Sequence, residues 1–230
     1  MSTQKTLVLT RPDPSNTEVL AQIKARFGET VPVIVSPALK IVPGQNWPDV
    51  SPYDVVIATS SHAIQGPLHG KPVYCVGVRT ADAASRAGGD VRHCALDAAR
   101  LIEWMRTQPD PGAIIYLRGS HVATDIPAAL DGLAIQGDAA QTYRQEEQAL
   151  SQAACEAIEG DAPVILPLYS PRSARLVGQA VKRIGQQLHV IAISDAAAQA
   201  WRDQTGGTCE VTDDPTGEAM LDRIVAALNV

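Results

Sequence analysis

The sequence predicts an α/β protein built from two small parallel-sheet domains. Short apolar runs alternate with helical stretches almost throughout the 230 residues, as in βαβ units with parallel strands. The predicted strands number about ten, well above the ~5–6 strands of an average sheet, so two sheets fit better than one. Two blocks of sequence, beginning at 54 and at 162, repeat the same order of strands, turns and helices, which indicates an internal duplication.

The individual elements follow from apolar runs and from their spacing. The run DVVIAT at 54–59 is apolar over consecutive residues, which is typical of a strand covered by helices on both faces. The predicted strands are 6–10, 31–37, 54–59, 72–77, 91–95, 113–119, 134–145, 162–170, 188–194 and 208–212. The predicted helices are 15–27, 79–87, 97–107, 145–158, 172–187, 195–204 and 215–228.

Two extended stretches mark the passage between the domains. One follows the first strand and helix and carries Pro37 and Pro43; the other is DAAQTYRQE at 138–146. Both are expected to be connectors between two lobes. We therefore predict a discontinuous domain 1 (1–36 plus 146–230) around an inserted domain 2 (37–145), with a cleft between the lobes.

The composition excludes several classes of protein. Hydrophobic residues make up 45% of the chain and charged residues 19%, as in ordinary soluble globular proteins. A net charge of −6 and few aromatic residues disfavour a nucleic-acid partner. No apolar run reaches the ~18 residues of a membrane span, and the start MSTQKTLVLTRP has no signal-peptide core. The widely spaced cysteines fit a reduced, cytoplasmic setting: Cys75, Cys94, Cys155 and Cys209.

Hydroxyl and cationic side chains follow six of the predicted strands. Ligands of open α/β sheets bind at the carboxyl ends of the strands, so these side chains are candidates for a binding site. Together with helix N-terminal amides, they are groups that bind anions. The ligand predicted from them is a multiply anionic small molecule spread across a wide cleft. The candidates are Thr10, Arg11, Thr59, Ser60, Ser61, His62, Arg79, Thr80, Arg118, Ser120, His121, Tyr169, Ser170, Arg172, Ser173 and Ser194.

Each candidate taken singly has a plainer explanation. A serine or threonine before a helix is commonly an N-cap, which applies to Thr59, Ser60 and Ser170. A single arginine is commonly solvated or paired on the surface. The motifs of other enzyme classes, namely phosphate loops, dinucleotide fingerprints, nucleophile elbows and metal-ligand spacings, do not occur. The sequence therefore predicts neither a metal nor a cofactor.

Several motifs, in this order and spacing, resemble the uroporphyrinogen-III synthase family of tetrapyrrole and heme biosynthesis. The resemblance implies two small α/β domains joined by a two-stranded connector, with a cleft between them. It implies a cofactor-independent lyase that cyclises hydroxymethylbilane to uroporphyrinogen III, with inversion of the last ring and loss of water. The eight carboxylates of that substrate would account for the hydroxyl-rich strand ends. The motifs cover nearly the whole chain: LVLTRPDP, VVIATSSHAI, VYCVGVRTADAASRAGG, IIYLRG, TYRQ, ILPLYSPRSA, IAISDAAAQA and DDPTGEAML.

The resemblance also implies roles for individual residues. Tyr143, in TYRQ, matches the tyrosine that assists departure of the substrate hydroxyl, and Tyr169 is the other candidate for that role. The resemblance further implies a monomer in the cytoplasm, and leaves room for transient contact with the preceding enzyme of the pathway. The strand ends and the resemblance together predict these substrate-binding residues: Arg11, Thr59, Ser60, Ser61, Thr80, Arg118, Ser170, Arg172 and Ser194.

Two stretches depart from the family pattern. In RGSHVATDIP, Ala123 and Thr124 stand where many relatives have an arginine a few residues after Arg-Gly. The other departure is a turn. Where the family has Gly-x-Thr-Thr-Ala, this chain has SDAAA at 194–198, which lacks the two threonine hydroxyls and adds the carboxylate of Asp195. Two alternatives to the enzyme therefore stay open. One is a two-lobe protein that closes on a small anion without chemistry, and the other is a degenerate synthase that only binds tetrapyrroles.

Overall fold

The chain folds into two compact units, and one of them is made from two separate segments of the chain. The structure is a computed structural model that describes residues 4–121, 126–129 and 137–229. One unit, here the outer unit, comprises Met1–Lys40 and Glu146–Val230; the other, the inserted unit, comprises Ile41–Gln145. The α/β class with two parallel sheets is confirmed. The boundaries given above for independently folding domains stay a prediction, as does the cleft.

The elements alternate between strand and helix for most of the chain. In chain order the strands are β1 (Thr6–Leu9), β2 (Val33–Val35), β3 (Leu39–Pro43), β4 (Val55–Ala58), β5 (Pro72–Val76), β6 (Asp90–Ala95), β7 (Ile114–Gly119), β8 (Gly137–Glu147), β9 (Val164–Leu168), β10 (Leu188–Ala192) and β11 (Glu210–Val211). The helices are α1 (Ser15–Phe27), α2 (Val78–Arg86), α3 (Ala98–Arg106), α4 (Ile126–Ala129), α5 (Gln152–Glu159), α6 (Pro171–Ala180), α7 (Asp195–Thr205) and α8 (Gly217–Leu228), with a short 3₁₀ turn at Ser61–Ala63.

The outer unit contains a five-stranded parallel sheet in the order β11-β10-β9-β1-β2. Successive residues of β1 point to opposite faces of the sheet, and both faces are buried. Val8 packs in one hydrophobic cluster with Trp201, whereas Leu7 and Leu9 pack in another with Ile224. Burial of each such side chain contributes about 1.5–3 kcal/mol, so the two faces together anchor the sheet between its helices.

The inserted unit contains a six-stranded sheet in the order β3-β8-β7-β4-β5-β6. The strands from β8 to β6 are parallel. Strand β3 runs antiparallel to β8: the Gly44 N–H donates to the Thr142 carbonyl at 2.7 Å, and the Gln148 N–H donates to the Ala38 carbonyl at 2.9 Å. The boundary between the units falls within β3 and within β8. This arrangement is consistent with the predicted two-stranded connector.

The two repeated sequence blocks occupy equivalent places in their sheets. Strands β4, β5 and β6 lie side by side, and β6 is the outermost strand of its sheet. Strands β9, β10 and β11 are arranged in the same way, and β11 is the outermost strand. Helix α2 joins β5 to β6, as α7 joins β10 to β11, whereas the first link differs: the 3₁₀ turn joins β4 to β5, and α6 joins β9 to β10. The strand order thus agrees with the duplication inferred from the sequence.

Two predicted helices differ from the structure in length. The helix predicted at 145–158 begins at Gln152, because β8 continues to Glu147 and the hydroxyl of Ser151 accepts the Ala154 N–H at 3.2 Å as an N-cap. The helix predicted at 172–187 ends at Ala180, because Val181 takes an extended conformation. Among the described residues, no helix combines the length and hydrophobicity needed to cross a bilayer.

Gly185 lies against the backbone that follows α5. Its N–H donates to the Ile158 carbonyl at 2.9 Å, and a Cβ at this position would come within 1.8 Å of the Gly160 carbonyl oxygen. We expect Gly185→Ala to lower the free energy of unfolding by about 1–3 kcal/mol or more, since two backbones must separate. Urea denaturation monitored by circular dichroism measures this.

Gly217→Ala is the matched control. Gly217 is the first residue of α8, and a Cβ there meets nothing within 4 Å. Alanine should stabilise the helix by about 0.5–1 kcal/mol. Equal denaturation midpoints for the two variants would contradict the predicted backbone contact at Gly185.

Candidate functional site

Arg11 and Tyr169 meet at the carboxyl ends of two neighbouring strands of the outer unit. Arg11 follows β1 and Tyr169 follows β9, and these strands pair in the sheet. The Arg11 guanidinium carbon lies 4.1 Å from the centroid of the Tyr169 ring. The ring face attracts the cation without neutralising it, so this contact orients the guanidinium at the sheet edge.

Asn16 holds the backbone of Arg11 in place. The Arg11 N–H donates to Asn16 Oδ1 at 3.2 Å, and Asn16 Nδ2 donates back to the Arg11 carbonyl. The Asn16 side chain is only 1% exposed. A buried, reciprocal pair of this kind fixes the strand-to-helix turn that carries Arg11.

Ser170 begins α6 and acts as its N-cap. Its hydroxyl oxygen accepts the Ser173 N–H at 3.1 Å and lies 2.8 Å from the Ser173 hydroxyl. Pro171 occupies the first turn, where its missing N–H costs nothing. Ser170 is therefore an N-cap, as its place before a helix predicts, and its hydroxyl pairs with that of Ser173.

Arg172 lies beside the end of β8. Its guanidinium is 3.6 Å from Glu147 Oε1, and the Arg172 side chain is 17% exposed against 66% for Glu147. A pair with one exposed partner contributes ~0–1 kcal/mol.

The SDAAA turn that departs from the family pattern begins α7. Ser194 caps the helix by accepting the Ala197 N–H at 3.4 Å. Ala197 and Ala198 are fully buried in a cluster with Ala192, whereas Ala196 is exposed. The two positions that lack a threonine hydroxyl therefore differ: Ala196 faces solvent and Ala197 lies in the core.

In the inserted unit, the predicted residues Thr59, Ser60 and Ser61 follow β4. Thr59 Oγ1 lies 2.9 Å from Tyr116 Oη, across the β4–β7 pair. Ser60 caps the 3₁₀ turn by accepting the His62 N–H at 3.3 Å, and Ser61 begins that turn. All three hydroxyls thus sit in one turn at the carboxyl edge of the sheet.

Thr80 lies in the first turn of α2, which starts differently from α6 and α7. The N-cap residue is Gly77, with φ +80°, and no side chain caps this helix. Thr80 is 4% exposed, and its N–H donates to the Gly77 carbonyl at 3.0 Å. The N-terminus of a helix favours negative charge, and this one carries no side-chain cap.

Arg118 and Tyr143 lie on the paired strands β7 and β8, near the carboxyl end of β7. Arg118 Nη1 donates to the Gly119 carbonyl at 3.3 Å. Tyr143 pairs in register with Gly119 and is 5% exposed. A Cβ at residue 119 would come within 2.8 Å of Tyr143 Oη, so the missing side chain of Gly119 makes room for the phenol.

The His62 ring also lies next to the Tyr143 ring. The two ring centroids are 5.9 Å apart and the ring planes are inclined by 55°. Tyr143 belongs to the hydrophobic cluster that also contains Val56 and Leu117. Tyr143 therefore packs in the core of the inserted unit.

Sequence reasoning missed three of the groups that shape these turns: Asn16, Tyr116 and Gly119. Gly119 had a local signal, because it directly follows Arg118 at a predicted strand end. Tyr116 had no local signal, since its partner is 57 residues away.

Among the described residues, no group of three or more His, Cys, Asp or Glu side chains is placed to hold a metal ion.

The fold and these turns define a class of protein. Two compact α/β units each present hydroxyls, cations or helix amides at the carboxyl edge of a parallel sheet. The family described as uroporphyrinogen-III synthase HemD matches residues 19–222. The chain belongs to the uroporphyrinogen-III synthase family, whose members are enzymes of heme biosynthesis with a small tetrapyrrole substrate.

Solved structures agree with this assignment at the level of the fold. The crystal structure of uroporphyrinogen-III synthetase from Helicobacter pylori has a TM-score of 0.66 at 15% identity, with 97% of this chain and 99% of that chain covered. A mutant uroporphyrinogen III synthase from the extremely thermophilic bacterium Thermus thermophilus has a TM-score of 0.55 at 12% identity, with 98% and 99% covered. A comparison with curated protein sequences found no significant match.

The cap at Ser170 is testable through stability. We expect Ser170→Ala to lower the free energy of unfolding by about 1 kcal/mol, because the Ser173 N–H loses its acceptor. Ser170→Asn should keep most of the stability, since asparagine caps as well as serine. Thermal unfolding compares the variants, and an unchanged Ser170→Ala would show that the cap contributes nothing.

Proposed function

We propose that this protein is a uroporphyrinogen-III synthase. It would cyclise hydroxymethylbilane to uroporphyrinogen III with inversion of the last pyrrole ring and loss of water. The observation that carries this proposal is the family match over residues 19–222, which spans both compact units. By reaction type the protein would be a lyase that acts without a cofactor. We further propose that it works as a cytoplasmic monomer that contacts the preceding enzyme of its pathway only transiently.

The substrate's many carboxylates match the chemistry of the strand ends. In the outer unit, we propose that Arg11, Ser170, Arg172 and Ser194 contact acetate and propionate groups. In the inserted unit, we propose the same for Thr59, Ser60, Ser61, Thr80 and Arg118. The capped helix starts of α6 and α7 and the uncapped start of α2 support this, because helix N-termini favour negative charge.

The reaction needs positioning more than strong acid or base. Departure of the substrate hydroxyl leaves an azafulvene cation, which the electron-rich pyrrole nitrogen stabilises. The last ring then attacks this carbon through its own substituted α-carbon and forms a spiro intermediate. Cleavage of the older bond and closure through the other position give the inverted ring. The enzyme must hold the chain so that this attack is faster than simple head-to-tail closure.

Tyr143 is the residue we propose to assist the first step. Gly119 and His62 both lie next to its ring, and this packing supports a fixed position for the phenol. A phenol O–H can donate a hydrogen bond to the departing hydroxyl and stabilise its developing charge. Tyr169 lies under the Arg11 guanidinium in the outer unit, which favours a supporting role for that ring.

Product analysis tests the function directly. Incubation with freshly prepared hydroxymethylbilane should give the type III isomer faster than the spontaneous reaction gives type I. Chromatography of the oxidised products separates the isomers. Type I product alone, at the rate without protein, would reject the enzyme and leave a binding protein as the alternative.

Replacement of Tyr143 by phenylalanine removes only the O–H. We expect Tyr143→Phe to lose roughly tenfold to a hundredfold in turnover with KM little changed, because the phenol acts on the leaving group. Tyr169→Phe keeps the ring beneath Arg11 and should retain turnover. Full activity in Tyr143→Phe, or a loss confined to Tyr169→Phe, would remove Tyr143 from the proposed mechanism.

Replacement of single arginines should have modest effects. Each partly exposed charge contact is worth about 0.5–1 kcal/mol, so Arg11→Ala, Arg118→Ala and Arg172→Ala should each weaken binding only several-fold. Arg183→Ala is the control, because Arg183 pairs with Asp161 on the surface at 3.8 Å. Abolished binding in one folded variant would contradict a distributed contact with the substrate.

A further inference from the structure

Two cysteines face each other on neighbouring strands of the inserted unit. Cys75 in β5 and Cys94 in β6 are direct partners in the parallel register, so their side chains point to the same face of the sheet. The Cys75 thiol donates to the carbonyl of His93 at 3.5 Å, which directs its sulfur toward β6 beside Cys94. All four cysteines are free thiols.

The spacing of paired strands suits a disulfide. Neighbouring strands lie about 4.7–4.9 Å apart, and disulfides join Cα atoms that are about 4.4–6.8 Å apart. The Cβ atoms must still approach to about 3.5–4.5 Å. Strand β6 is the last strand of its sheet, with a partner on one side only, so it can move toward β5.

The two thiols differ in access. Cys94 is exposed, whereas Cys75 is fully buried. Burial, with a smaller contribution from the neighbouring Cys94, raises the pKa of the Cys75 thiol to about 12. An oxidant therefore meets Cys94 first, and Cys75 acts second. Burial also raises the pKa of Cys155 and of Cys209, and neither of these has a cysteine partner in strand register.

We propose that Cys75 and Cys94 are a reversible oxidation site that forms a disulfide when the protein meets a peroxide. The Cys94 thiolate attacks one peroxide oxygen, the O–O bond breaks, and sulfenic acid and water form. The Cys75 sulfur then attacks the Cys94 sulfur, the S–O bond breaks, and a second water leaves. Two thiols lose two electrons and two protons, and one hydrogen peroxide is reduced to two waters.

The bond should be easily reduced. A bridge between directly paired strand residues requires their Cβ atoms to approach, which strains the strand pair, and strained bridges have more oxidising potentials. Cys75 also lies two residues before Gly77, where the turn into α2 begins. Oxidation would therefore join the edge strand to the base of that turn.

Intact-mass measurement on the full chain tests the proposal independently of the proposed function. A variant with Cys155→Ala and Cys209→Ala retains only the pair in question. After hydrogen peroxide treatment we expect a mass lower by two hydrogen atoms, a cross-linked Cys75–Cys94 peptide after digestion, and full reversal by dithiothreitol. Amide hydrogen exchange in β6 should slow at least several-fold in the oxidised form, because the edge strand is tied down.

Cys94→Ser and Cys75→Ala, each added to that variant, are the matched controls. Without Cys94, the buried Cys75 should stay a thiol under the same treatment. Without Cys75, Cys94 should advance to sulfinic acid, because no second thiol is near to condense with the sulfenic acid. The proposal is overturned if Cys94 reaches sulfinic acid while Cys75 remains reduced in the starting variant, or if the only disulfide joins two chains.

Discussion

Parallel strands that are buried on both faces must pass into helices at one edge of the sheet, and the hydroxyls of this protein lie where that passage occurs. A helix that starts there brings amides with no partner in the helix. In three such turns a serine oxygen accepts one of these amides: Ser60, Ser170 and Ser194. Helix capping by itself therefore accounts for these serine hydroxyls at the sheet edges, whether or not they also bind a ligand.

A capping role and a binding role are compatible for the same hydroxyl. A serine oxygen that accepts an amide still carries a proton that it can donate to a carboxylate. Two of the cations nearby are oriented by contacts of modest strength: a ring face for Arg11, and an exposed carboxylate for Arg172. Under the proposed function, these separate edges would suit a substrate whose carboxylates are spread along four rings.

The role proposed for Tyr143 in catalysis depends on how its ring is packed. Tyr143 is a core residue of the inserted unit, and the absence of a side chain at Gly119 allows its phenol to lie against β7. A ring so confined has few orientations, and a hydroxyl with few orientations is a better-aimed donor. At the two altered positions of the SDAAA turn, the buried Ala197 contributes to the core and Ala196 is open to solvent.

Most of the fold and part of the candidate site could be predicted from the sequence, because those features are encoded within a few neighbouring residues. Apolar runs such as Val55–Ala58 predicted buried parallel strands, and the Ser-Pro turn at Ser170 predicted the start of a helix. The helix predicted at 172–187 was too long, since local periodicity does not reveal that Val181 turns to an extended conformation.

The sequence by itself determined the class of fold, the repeat, the family motifs and the kind of side chain at each strand end. Only the tertiary structure decided which of those side chains meet. Thr59 bonds to Tyr116, Arg11 lies over Tyr169, and Cys75 faces Cys94, because β7, β9 and β6 became the neighbours of β4, β1 and β5. Strand neighbours are chosen by the burial of whole sheet faces against helices, and no short stretch of sequence carries that information.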